Sequence, residues 1–128
     1  MKKAIIITSI NPLNKALLNF SKFKDFDLII IGDLKSPKNY KTTCTFLIAE
    51  NQHKIFNKIS KAIPLNHYAR KNLGYLYAIQ NNYDIIADSD DDNFPFKNWN
   101  VPNFKNPPII TGPKFPNIYS LFTKKKVW

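Results

Sequence analysis

The chain is poor in negative charge. Against nineteen lysines and arginines it carries nine aspartates and glutamates, for a net charge of +10 over 128 residues. Arginine is scarcer still: eighteen of the nineteen basic side chains are lysine and one, Arg70, is arginine. A single cysteine, Cys44, excludes an intrachain disulfide and a cysteine-built metal cluster, and fits a reducing, cytoplasmic setting. No apolar run approaches the roughly 20 residues that span a bilayer, so no membrane segment is expected. "MKKAIIITSI" begins like a signal peptide, but Asn11 and Pro12 cut the apolar stretch short and no small-residue cleavage site follows.

The excess of lysine does not by itself indicate nucleic acid. The lysines are scattered except in the terminal "TKKK", no nucleic-acid module is recognisable, and abundant Lys, Asn and Ile together match the coding bias of an AT-rich genome. Nucleic acid is therefore not an expected partner. What is present is ordinary globular material. The apolar content of 44% over 128 residues suits a single domain spanning 1–128.

"KKAIIITSI" and "FDLIIIGD" are β-branched runs ending in polar turns, apolar on both faces as interior parallel strands are. Between them a helix is predicted with Asn11 as its cap and Pro12 first inside, and with Leu13, Ala16, Leu17 and Phe20 toward the core. "CTFLIA" predicts a short third strand. "ENQHKIFNKISKAI" predicts one helix with Ile55, Ile59 and Ile63 on its inner side, stopped by Pro64. "NHYARKNLGYLYAIQNN" predicts a second, with Ala69, Leu73, Leu76 and Ile79 or Gln80 on one face. The strand Ile85–Ala87 then runs into an acidic turn. "FPFKNWNVPNFKNPP" predicts an irregular loop pinned by aromatic packing, and "IITGPKF" and "NIYSLF" two more short strands. The order before that loop, β-α-β-β-α-α-β, implies an α/β three-layer domain with a mainly parallel sheet. In such sheets ligands sit beyond the carboxyl ends of strands. That rule selects Thr8–Asn11, Gly32–Lys35 and Asp88–Asn93.

Five of the nine acidic residues fall between Asp84 and Asp92, in "YDIIADSDDDN". Such crowding is costly unless positive charge sits among them. If the backbone stays extended, Asp88, Asp90 and Asp92 point one way and alternate with Ser89 and Asp91. Hard oxygen ligands of this kind suit Mg²⁺ or Mn²⁺ bridging to phosphate; the plainer alternative is a solvated acidic loop. An EF-hand beginning at Asp88 fails, with Asn93 where glycine is required and Trp99 where glutamate is. His53 and His67 lie too far apart for a zinc motif. A haloacid-dehalogenase-like phosphatase would need a carboxylate after the first strand, where "TSIN" stands.

Arg70 invites its own reading. Lysine supplies charge but not a planar, two-pronged donor, and bidentate phosphate or carboxylate binding is the usual use of arginine. Gly74 lies one turn further along and costs roughly 1 kcal/mol relative to alanine in a helix. A bare patch there would admit a ligand or another backbone. The alternative is that Arg70 pairs with an aspartate of the acidic turn.

These residues carry a resemblance. "YARKNLGYLYAIQNNYDIIADSDDDNFP", with "IIIGDLKSP" before it and "NIYSLFTKKKVW" after it, resembles the STELLO-type (DUF288) glycosyltransferases. The resemblance implies a GT-A-like nucleotide-sugar-binding fold and a metal-dependent glycosyltransferase with a D-x-D-type motif, using Mn²⁺ or Mg²⁺ and a nucleotide-sugar donor, a UDP-sugar being the leading expectation. By position it implies Asp90 and Asp92 as metal ligands, with Asp91 between them against the donor. Arg70 would reach the diphosphate or the nucleotide, with Thr8 and Asp33 beside base and ribose and Lys35 in the loop that closes over the donor. The family pattern continues beyond Trp128, so a shortened, donor-binding half without its acceptor half is expected, completed by a partner chain or oligomer. A non-catalytic nucleotide-sugar-binding module acting with a partner is the alternative. No catalytic base is identified.

Overall fold

The computed structural model describes residues 1–101 and 123–125. The strands expected in "IITGPKF" and "NIYSLF", residues 109–115 and 117–122, lie outside the described residues. Four parallel strands form the sheet among the described residues: β1 (Lys3–Thr8), β2 (Asp27–Ile31), β3 (Thr45–Leu47) and β4 (Ile85–Asp90), in the order β3-β2-β1-β4. The two isoleucine runs form its middle. Ile5–Ile7 pair with Leu28–Ile30, and all six isoleucines of β1 and β2 are buried. At roughly 1.5–3 kcal/mol for each buried isoleucine, this pair of strands outweighs any single polar contact in the molecule.

Helices cover both faces, so the α/β class with a parallel sheet is as expected. On one side α1 (Lys15–Phe20) sets Leu17 and Phe20 against Ile5, Ile7 and Ile30. Trp99 closes this layer over the rings of Phe20, Phe23 and Phe26, at centroid distances of 6.2, 5.2 and 5.1 Å, which is the aromatic pinning foreseen for that loop. On the other side Ala78 of α4 (Lys71–Gln80) packs with Ala4, Ile6 and Ile29. Among the described residues no helix is long and apolar enough to cross a membrane.

Four local expectations are corrected. The first helix starts at Lys15, because the Asn14 side chain accepts the Leu17 N–H at 2.9 Å and caps it, not Asn11. The helix expected over 50–63 is two, α2 (Ala49–Ile55) and α3 (Asn57–Ala62), broken at buried Phe56 with φ −125° and ψ 46°. Its inner face is Gln52, Phe56 and Ser60, while Ile55 and Ile59 are exposed. The inner face of α4 is Lys71, Leu73, Gly74 and Ala78, and Ile79 is exposed.

Gly74 explains that rotation. A Cβ there would stand 2.5 Å from Ile6 Cγ2 and 2.8 Å from Ile31 Cγ1. Its bare Cα lets the helix lie close on the sheet; it faces the core and not a ligand. The helix ends in "QNNY" with Asn82 at φ 56°, Tyr83 N–H donating to Ala78 O at 3.0 Å and Asn82 N–H to Ile79 O at 3.1 Å. This is the Schellman ending, with asparagine at the left-handed position.

Candidate functional site

The sheet's order changes direction at β1: the chain builds outward to β2 and β3 on one side, then returns to add β4 on the other. At this switch point the carboxyl-end loops part, and ligands of open parallel sheets bind there. A cleft of about 380 Å³ opens here, lined by Thr8, Ser9 and Asn11 after β1, Asp33 and Lys35 after β2, Asn66 to Tyr68 and Arg70 before α4, and Asp91 after β4. The volume is within the range of small-molecule sites. A larger recess of about 470 Å³ lies between Ser21–Leu28 and Thr43–Thr45, at the amino ends of β2 and β3. Position decides against it, since that end of a parallel sheet lacks the diverging loops.

Five residues singled out from sequence, Thr8, Asp33, Lys35, Arg70 and Asp91, line this one cleft. Asp33 ties two of its loops. Its Oδ1 accepts the Leu34 N–H at 2.8 Å and its Oδ2 the His67 N–H at 3.3 Å. Ser36 Oγ accepts the Asp33 N–H at 2.7 Å and donates to Ser9 O at 2.6 Å, joining the loops after β1 and β2. His67 accepts the Ala69 N–H on Nδ1 at 3.0 Å, so in its neutral form the ring proton is on Nε2. Lys35 is exposed at the margin, and Asn66, at φ 52°, holds the left-handed turn that asparagine tolerates.

Arg70 is used inward. Its residue is 1% exposed. Nε donates to Gln52 Oε1 at 2.8 Å, Nη1 to Ser60 O and Ile63 O at 3.3 and 3.1 Å, and Nη2 again to Gln52 Oε1. Gln52 in turn donates Nε2 to Gly32 O and Leu47 O at 2.7 and 2.6 Å. The guanidinium thus staples α2 and α3 to the ends of β2 and β3. With four of five N–H groups committed, a two-pronged grip on phosphate is not available to it. Burial lowers its pKa, and the nearby Asp33 carboxylate works against that shift.

The cation among the aspartates is Lys71. Its Nζ lies 2.8 Å from Asp88 Oδ1, 2.7 Å from Asp90 Oδ1 and 2.8 Å from Ser89 O. β4 runs through Asp90, three residues further than expected, pairing Asp90 with Thr8. Alternation therefore does place Asp88 and Asp90 on one face, the face of α4. The chain then turns, with Asn93 N–H on Asp90 O at 3.2 Å, and Asp92 leaves the set and is exposed. Asp91 faces the other way. Its Oδ2 accepts Ser9 Oγ at 2.5 Å and Asn11 Nδ2 at 2.8 Å, and its carbonyl accepts Asn14 Nδ2 at 2.8 Å. At the far end of the strand Asp84 Oδ2 takes the Lys2 backbone N–H at 2.6 Å.

The acidic stretch is thereby divided among separate partners, which answers the repulsion that its sequence raises. The donor set does not suit a divalent cation at Asp90. An ammonium already stands among those oxygens, and among the described residues no three carboxylate, imidazole or thiol groups converge as a metal site. Sequence reasoning missed Lys71, Asn14 and Gln52, whereas Ser9 and Asn11 fall inside the loop Thr8–Asn11 that it selected. For Lys71 a signal existed: it shares a helical face with Gly74 and Ala78, the small residues a helix needs against a sheet. Gln52 carried none.

Comparison with known proteins adds an independent line. No family model matches the chain. Over 91 residues it is 29% identical to "Probable glycosyltransferase STELLO2" of Arabidopsis thaliana and 26% identical to "Probable glycosyltransferase STELLO1" of the same plant. Each match covers 70% of this chain but 12% of the relative, so the chain spans about an eighth of the length of these curated proteins. The similarity supports a glycosyltransferase-like relationship over this segment.

Proposed function

We propose that the cleft binds the donor of a glycosyl transfer, a nucleotide-sugar, and that the chain is the donor-binding part of a glycosyltransferase. The observation that carries this reading is the meeting of Thr8, Asp33, Lys35 and Asp91 in one cleft at the switch point of a parallel sheet, in a chain similar to two proteins named as probable glycosyltransferases. Asp33 retains lone pairs for ribose hydroxyls. The Lys35 ammonium is the exposed cation for a diphosphate. Thr8 Oγ1 and Asn11 supply neutral hydrogen bonds. Arg70, held by Gln52, sets the wall of the cleft and supports the loop carrying His67. Transfer breaks the bond from the anomeric carbon to the diphosphate oxygen, with the electron pair leaving on the diphosphate. The acceptor oxygen bonds to that carbon and gives up its proton. The cleft's task is to place the donor and to stabilise the charge that develops on the diphosphate.

The test is a thermal-shift panel of UDP-, GDP- and CDP-sugars, in Mn²⁺ and in EDTA, followed by assay for released nucleoside diphosphate. A ligand at about a hundred times its Kd stabilises by about 2.7 kcal/mol, several degrees in Tm. The UDP-sugars are expected to raise Tm and Lys35→Ala to reduce that rise. Binding without release would make the chain a binding module. No shift with any nucleotide-sugar would refute the reading.

A further inference from the structure

We propose that the Lys71 ammonium takes the place of a divalent cation at the acidic turn, so that Asp88 and Asp90 hold no Mn²⁺ or Mg²⁺ in this protein. An ammonium has three N–H donors and no acceptor. Here three oxygens, from Asp88, Ser89 and Asp90, stand at 2.8, 2.8 and 2.7 Å from it. All three belong to consecutive residues of β4, and the ammonium is also 5.5 Å from the centre of the Tyr68 ring. Its donors are filled.

Mg²⁺ requires oxygens at about 2.0–2.1 Å in a near-octahedral shell. Such an ion could not share these oxygens with an ammonium, and would have to expel it. Expulsion is obstructed by the position of the lysine. Lys71 opens α4 on its inner face, and its side chain is 3% exposed. Moved off its oxygens, the charge would have no partner in a buried place. The carboxylates themselves are not hidden, with side chains 52% and 57% exposed. It is therefore the ammonium and not burial that excludes the ion. Asp91 cannot complete an alternative set with them, because its carboxylate is turned to Ser9 and Asn11 on the opposite face. The inference concerns the acidic turn alone and does not depend on what fills the cleft.

Its test contains no nucleotide, so its failure is separate from failure of the donor reading. Mn²⁺ is titrated into the full chain and the free ion followed by its electron paramagnetic resonance signal. Wild type is expected to leave the signal unchanged. Lys71→Met keeps the buried stem, removes the charge and is expected to bind Mn²⁺ at least about tenfold more tightly than wild type, by relief of charge repulsion. Asp88→Asn added to Lys71→Met is expected to abolish that uptake. Wild-type uptake that is lost in Asp90→Asn overturns the proposal, as does a folded Lys71→Met that still takes up no Mn²⁺. Uptake that survives both Asp88→Asn and Asp90→Asn lies elsewhere and leaves the pair metal-free, as proposed. Should circular dichroism find Lys71→Met unfolded, wild type against Asp90→Asn decides alone.

Discussion

Arg70 and Lys71 are adjacent in sequence and serve different parts of the molecule. Arg70 reaches back to Gln52, Ser60 and Ile63, and Lys71 reaches forward to Asp88 and Asp90. The rarity of Arg70 marks it correctly as needing a planar guanidinium, but what needs it is an amide and two carbonyls. Neither Gln52 nor Ser60 announces itself, since a polar residue in a short helix is ordinarily a surface residue. Arg70→Lys should therefore lower stability by at least about 2 kcal/mol in urea titration, because an ammonium cannot satisfy three buried acceptors spread over two helices and a turn. Arg70→Met should cost as much or more. If Arg70→Lys unfolds at the wild-type urea concentration and only ligand binding suffers, the structural role is refuted.

At the scale of elements, the strands and the inner face of α1 are legible in the sequence, and the faces of α2, α3 and α4 are not. Runs of isoleucine bounded by polar turns leave one solution, a parallel interior pair. In these three helices key inward positions are not hydrophobic: Gln52 and Ser60 in α2 and α3, Lys71 and Gly74 in α4. Where a polar network or a close helix–sheet approach replaces oil, apolar periodicity points the wrong way. The contact of α4 with β4 makes a pH prediction. Burial lowers the Lys71 pKa, the hydrogen bonds and charges of Asp88 and Asp90 raise it, and the balance lies above its ordinary 10.5. Tyr75 beside it is pushed up to about 12, first by burial and then by Asp88. Both shifts favour the protonated form in the folded state. Their stabilisation is complete below the unfolded pKa values of 10.5 and 10.0, and is lost as pH rises through the folded ones. Unfolding free energy, measured by denaturant titration from neutrality upward, should hold level to about pH 10 and then fall. Lys71→Met should lack part of that fall. A parallel decline in both proteins would show that the Lys71 ammonium carries none of it.

At the scale of the whole molecule, three loops chosen by the carboxyl-end rule converge with a fourth segment, Asn66–Arg70, of which the sequence singles out Arg70 alone. Its ends are two helices, so no strand rule selects it; Asp33 draws it in through the His67 N–H. The cleft is thus assembled from four segments that share little beyond their meeting point. A ligand seated there should slow amide hydrogen exchange in all four at once. With a UDP-sugar, mass-resolved exchange should report protection in residues 8–11, 31–35, 66–70 and at 91, and none around Ser21–Leu28 and Thr43–Thr45, where the larger recess lies. The middle of β1 and β2 is already buried and hydrogen-bonded on both sides, so its exchange tracks global unfolding and should change only by the overall gain in stability. Loop protection exceeding that gain marks contact. Protection confined to the recess at the amino ends would move the binding site to the opposite end of the sheet, and with it remove Asp33 and Lys35 from any part in holding the donor.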